Sequence, residues 1–189
     1  YILPLLRSLS SPPLTPTLYD PYYCSGLSAL HLRSLGFPGA FNPNVDFYAA
    51  VSQGRVPAHD CLVTNPPYSA DHIPRCLEYC YGSGRPWMCL LPSYVYNKPY
   101  YDDSKGYILV PRERVRYRVG HAGGRKDRGW TSPFHSFWYV SRMVPATALG
   151  PAFLKENGLV VCRGGDEIPN EFRDVTDARR KRGNPRKRR

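Results

Sequence analysis

The chain has 189 residues, enough for one domain with a real core. A hydrophobic fraction of 42% excludes global disorder, and no apolar run reaches the roughly 18 residues that a membrane-crossing helix needs. Lys and Arg total 26 against 15 Asp and Glu, a net charge of +11, while 20 Pro and 15 Tyr favour a loop-rich fold over a helical bundle.

Residues 1–14 are Pro- and Ser-rich with a short apolar start and read as a lead-in segment. Thr15 to Tyr19 reads as a short strand ended by Asp20-Pro21. A helix is expected over Leu27 to Leu35, with Leu27, Leu30 and Leu35 on one face and Gly36 as its stop. Ala40-Phe41 is a second short strand, and Asp60 to Thr64 a buried one. Asp71 is placed to cap a helix whose apolar positions Ile73, Cys76, Leu77 and Cys80 follow i, i+3, i+4, i+7. Trp87 to Leu91 is the next buried strand. Tyr107–Val110, Arg114–Val119, Phe137–Ser141 and Leu159–Cys162 follow, with a basic loop at 120–129. Strands alternating with helices in the first half predict an α/β fold with a parallel sheet, and the later strands an antiparallel part. The expected organisation is a lead-in at 1–14, one domain at 15–165 and a basic tail at 166–189.

The six cysteines contain one close pair, Cys76 and Cys80, with no second pair beside it. That spacing argues against a zinc site, so no metal is expected. Cys61 and Cys89, in apolar runs, read as small core residues, and the usage fits a reducing compartment. His31, His59, His72, His121 and His135 are scattered in no triad order. Tyr94, Tyr96, Tyr100 and Tyr101 are divided between base stacking and an aromatic core rim; Arg112, Arg114, Arg116 and Arg118 between a phosphate stripe and a solvated face.

The chemistry concentrates in Asn65-Pro66-Pro67-Tyr68, directly after a buried strand. Ligands of α/β sheets bind beyond the carboxyl ends of strands. The prolines fix φ and remove two donors, so the turn offers acceptors: the Asn65 side-chain oxygen and the Pro66 carbonyl. Two fixed acceptors beside the Tyr68 ring suit a planar NH₂ group on a base, with stacking worth roughly 1–3 kcal/mol. Asp20-Pro21-Tyr22-Tyr23-Cys24-Ser25-Gly26 also follows a strand and opens a helix, the geometry of a cofactor loop.

With these two motifs the chain resembles the Rossmann-like S-adenosylmethionine-dependent methyltransferases that methylate amino groups of adenine or, in some branches, glutamine. There a strand ends in Asp-Pro-Phe-Cys-Gly-Ser-Gly and a later one in Asn/Asp-Pro-Pro-Tyr/Phe. The likeness covers roughly Thr15 to Val140. It implies a sheet with helices on both faces and S-adenosylmethionine held by Asp20, Tyr22, Cys24, Gly26, Asn42 and Asp46. It also implies a target amine gripped by Asn65, Pro66 and Tyr68. Asp46-Phe47 is similar to a pair beside the cofactor adenine, and the stretch from Ser132 to Trp138 falls where a late loop meets the base. Three departures stand out: Cys24 replaces the middle glycine, Asn42 and Asn44 stand where a ribose-binding acid is usual, and the elements between Asp20 and Asn65 are compressed.

Arg179, Arg180, Lys181, Arg182, Arg186, Lys187, Arg188 and Arg189 form a block without an acid; the rest of the chain has 18 basic against 15 acidic groups, a net +3. Such a block is a nucleic-acid arm, a localisation signal or a solubilising tail. The expected activity is methyl transfer to an exocyclic amine of RNA, or of DNA. The alternatives are a degenerate methyltransferase fold serving as an RNA-binding subunit of a ribosome, mitochondrial ones included, or of an assembly intermediate, and a protein glutamine methyltransferase. An intracellular site is expected: nucleus, cytoplasm or an organelle such as the mitochondrion. The first residue is Tyr1 rather than Met, so a fragment, a processed product and a lost transit peptide all stay open.

Overall fold

The computed structural model describes residues 1–10, 14–117, 130–131 and 134–173. The loop at 120–129, Arg118, Ser132, Pro133 and the basic block at 179–189 lie outside them, as do the side chains of 116, 117, 130 and 131.

Strand β1 is short, Leu18–Tyr19, and both side chains are fully buried. It pairs in parallel with β2, Cys61–Thr64, which in turn pairs in parallel with β3, Trp87–Pro92. All four residues of β2 and all six of β3 are buried, as expected of parallel strands covered on both faces. On the other side of β1, Phe41 makes a single parallel bridge to Tyr19, the remnant of the short strand expected at Ala40-Phe41.

The direction changes beyond β3. Strand β4 (Gly106–Pro111) lies two places away from it. The two-stranded ribbon of β5 (Arg116–Tyr117) and β6 (Trp130–Thr131) comes next in the chain, and β7 (Ser136–Ser141) then inserts antiparallel between β3 and β4. Strand β8 (Leu159–Cys162) closes the far edge antiparallel to β4, giving the order β1-β2-β3-β7-β4-β8. The protein is thus α/β with a six-stranded mixed sheet, parallel in its first half and antiparallel in its second. β7 and β4 approach closely at Gly106, where a Cβ would stand 2.7 Å from the Val140 carbonyl oxygen and 3.0 Å from the Trp87 ring.

Alternating side chains feed two cores. One face carries Tyr19, Leu62, Trp87, Cys89, Leu91, Ile108 and Phe137. Helix α3 (Phe47–Ser52) and helix α4 (His72–Gly82) cover it, α4 through Ile73, Cys76, Leu77 and Cys80 as its spacing predicts. The other face carries Leu18, Cys61, Val63, Met88, Leu109 and Val140. Helix α1 (Leu3–Arg7), helix α2 (Leu27–Ser34) and helix α5 (Pro151–Glu156) lie on that side. Leu5 and Leu6 of α1 are fully buried, so the opening segment belongs to the core; at the other end Ile168 and Phe172 pack against the first face.

Helix α2 departs from expectation. Leu27 and Leu30 stay 55% and 57% exposed, Ala29 is buried, and Leu32 and Leu35 pack partly buried against the second core. The helix holds two competing apolar stripes: of the expected one only Leu35 packs on the core, and Ala29 and Leu32 carry the rest of the inward side. Asp71 occupies the N-cap position of α4, but its side chain makes no capping hydrogen bond.

Candidate functional site

Growth of the sheet reverses at β1. The chain goes from β1 outward to Phe41, then returns to the other side of β1 as β2. Such a switch point opens a crevice beyond the carboxyl ends of the two strands. Asp20 follows β1 and Asn65 follows β2, so both motifs meet at this edge.

Asp20 ties the edge together. It is 7% exposed. Its Oδ1 accepts from the Thr64 hydroxyl at 2.6 Å and from the Tyr22 amide at 3.2 Å. Its backbone amide donates to the Phe41 carbonyl at 3.1 Å, and its own carbonyl accepts from Asn42 Nδ2 at 2.8 Å. Burial raises the carboxyl above the usual carboxylate range, while the Thr64 hydroxyl and the Tyr22 amide draw it back down. β1, β2 and the Phe41-Asn42 segment are therefore fastened at one residue. The last position of an apolar strand, Thr64, supplies the link, and a polar residue closing such a run is its sequence signal.

The 20–26 loop is a tight bend. Gly26 takes φ 72° as the N-cap of α2, its amide bonds to the Tyr23 carbonyl at 2.6 Å, and a Cβ there would meet the Tyr23 ring at 3.0 Å. Cys24, at the position where the resembled motif has glycine, is exposed and itself takes φ 47°. The backbone form that favours glycine is kept, at a conformational cost of order 1–3 kcal/mol. Tyr22 turns inward: its hydroxyl shares a 2.8 Å hydrogen bond with that of Tyr48, which lies 2.9 Å from His72 Nδ1. Burial pushes the Tyr22 phenol far above its ordinary value. Arg75 stacks on the other partner, 3.6 Å from the centre of the Tyr48 ring.

Asn42 uses its amide nitrogen to hold Asp20, and its buried Oδ1 has no hydrogen-bond partner among the described residues. Asp46 caps α3, with Oδ1 accepting from the Ala49 amide at 3.0 Å, and Phe47 is buried in the first core. Asp46 is thus engaged in helix capping, which the resemblance does not foresee.

Beyond β2, Pro66 is buried and Asn65 exposed. The Tyr68 hydroxyl lies 2.6 Å from Asn65 Oδ1 and 3.2 Å from the Leu90 carbonyl, as donor to both acceptors. A carbonyl oxygen has two lone pairs, so Asn65 keeps one for a further donor. The Tyr68 ring centre lies 5.7 Å from that of Phe134, and Phe134 5.6 Å from Tyr94, over which Lys98 Nζ sits at 5.4 Å. This aromatic rim flanks Asn65. The other candidates divide: Tyr101 packs on core Tyr139 with ring centres 5.0 Å apart, and Trp138 belongs to the second core. Ser132 and Pro133, and all eight basic residues from Arg179 to Arg189, fall outside the described residues.

One grouping joins residues far apart in sequence. Among the described residues, the sulfur atoms of Cys76, Cys80 and Cys89 lie within 4.8 Å of one another, all buried. Cys76 and Cys80 share a face of α4, and Cys89 reaches them from β3. The 76/80 spacing alone does not reveal it, because the third member comes from the next strand.

No family model matches the chain, and no match is found among curated proteins or solved structures. Among the described residues, no helix is long and apolar enough to cross a membrane.

Proposed function

We propose that this chain is an S-adenosylmethionine-dependent methyltransferase acting on an exocyclic amine of adenine type, in RNA rather than DNA. One observation carries the reading. The Thr64–Asp20 hydrogen bond at 2.6 Å fastens the strand before the diproline turn to the strand before the 20–26 bend, at a switch point of the sheet. The mixed sheet with helices on both faces and an antiparallel second half supports the same family likeness.

The residues present suit the cofactor. Gly26 leaves the bend free of a Cβ, and the buried Oδ1 of Asn42, without a partner among the described residues, calls for a donor such as a ribose hydroxyl. Bound, the cofactor supplies an electrophilic methyl group on a sulfonium. Asn65 Oδ1 and the Pro66 carbonyl would accept the two amine hydrogens and hold the nitrogen lone pair toward that methyl, the surplus amine proton passing to solvent after transfer. Tyr68 braces Asn65 through its hydroxyl while its ring, with Phe134, offers an apolar wall for a planar base. Rate then comes from positioning and fixed dipoles, with no covalent intermediate on the protein.

Titration of the full chain with S-adenosylmethionine, followed by transfer of a labelled methyl group to unpaired adenine-containing RNA, tests the proposal. Asn65→Ala is expected to lower turnover by roughly 10²–10³ while leaving cofactor affinity near that of the parent chain. Absence of cofactor binding at millimolar concentration would overturn the enzyme reading in favour of a non-catalytic RNA-binding subunit.

A further inference from the structure

The sulfur atoms of Cys76, Cys80 and Cys89 form a closed triangle inside the first core. Cys80 Sγ and Cys89 Sγ are 4.0 Å apart, all three sulfurs lie within 4.8 Å of one another, and the three residues are 0%, 2% and 0% exposed. Helix spacing puts Cys76 and Cys80 on one face of α4, and Cys89 of β3 completes the group among Leu77, Trp87 and Leu91. An ion bonded in plane to three sulfurs at about 2.3 Å, the usual metal–thiolate length, holds them about 4.0 Å apart. The Cys80–Cys89 edge already has that length, and the other two edges do not exceed 4.8 Å.

The donor set selects the ion. Among the described residues, no fourth Cys, His, Asp or Glu joins the group. Structural zinc is closed by four protein ligands. A site with three soft sulfurs, shut off from water by the core, matches instead a soft monovalent ion with three sulfur ligands, the thiol protons it displaces passing to solvent. We propose that Cys76, Cys80 and Cys89 bind one cuprous ion in a three-sulfur site. Tyr22 of the 20–26 bend packs against the same core cluster. This ties the site to the 20–26 bend, although the binding itself does not depend on methyl transfer.

The experiment uses the full chain, reduced and handled without oxygen. It is loaded with cuprous copper against a competing chelator, desalted, and examined for retained copper and for its ligands by X-ray absorption. The expected result is one ion per chain with three sulfur neighbours. Cys76→Ala, Cys80→Ala and Cys89→Ala should each lower retention at least about tenfold, and Cys61→Ala and Cys162→Ala should leave it unchanged. Loss of the copper on desalting, or full retention by any of the first three variants, overturns the site. If those variants do not fold, the sulfur count in the unaltered chain decides: fewer than three overturns it. A parallel loading with zinc that gives a tighter, four-coordinate complex overturns the cuprous assignment.

Discussion

At the scale of single residues, the protein depends on a few polar groups placed among apolar ones. The Thr64 hydroxyl supports a buried carboxylate, and Thr64→Val keeps the shape while removing the donor. The expected loss is about 1.5–3 kcal/mol, the range for a hydrogen bond to a charged group, read as a lower urea midpoint at unchanged slope. Asp60 acts at the opposite end of the same strand pair, accepting from the Thr17 amide and hydroxyl, both at 2.7 Å. Those bonds hold its carboxyl below the ordinary value. Its stabilisation is therefore present above the unfolded-state value of about 3.9 and is lost as the pH falls below it. Asp60→Asn should flatten the acid limb of a stability–pH curve measured between pH 2 and 5 (about one unit or more on each side of that value). Asp20 has the reverse sign: burial raises its carboxyl, so its share of stability declines as the pH rises from the unfolded value through the folded one. Both site motifs can be read directly from the residues. That Tyr68 would reach Asn65 with its hydroxyl, and Asn42 would be drawn to the Asp20 carbonyl, could not, because both depend on backbone paths set by the turns.

At the scale of elements, α4 and α2 show when periodicity suffices. Helix α4 has one apolar stripe, and Ile73, Cys76, Leu77 and Cys80 are all buried along it. Helix α2 has two, and tertiary packing buried the one containing Ala29. Substitutions at Leu77 and Leu30 should separate accordingly. Leu77→Ala, at a fully buried position, is expected to cost about 2–5 kcal/mol, and Leu30→Gln, at an exposed one, to stay within about 0.5 kcal/mol of the parent chain. Thermal or urea unfolding of the two variants side by side checks this. A larger effect at Leu30 would mean that the exposed face of α2 is not solvated.

At the scale of the whole molecule, charge and topology act at different ranges. The eight basic residues from Arg179 to Arg189 hold most of the excess charge and none of the described core. If the arm neutralises RNA phosphates, a chain ending at residue 178 should bind single-stranded RNA more weakly. Its salt dependence should be shallower by up to about 6 in log–log slope, at roughly 0.7 per phosphate contact. Filter or fluorescence titrations at several salt concentrations measure it, and an unchanged slope would remove RNA from the role of the arm.

Local order was written in the chain. The buried strands at Cys61 and Trp87, the amphipathic stripe of α4, the α/β class and the two proline-stiffened bends all follow from periodicity, proline chemistry and the residues themselves. Tertiary structure decided what lies next to what. It inserted β7 between β3 and β4, buried α1 in the core, joined Asp20 to Thr64 across 44 residues, and brought Cys89 to Cys76 and Cys80. Hydrophobic patterning marks which face of an element turns inward but is indifferent to which partner it meets. That choice is made by the pairing of backbones and the fit of side chains once distant segments are in contact.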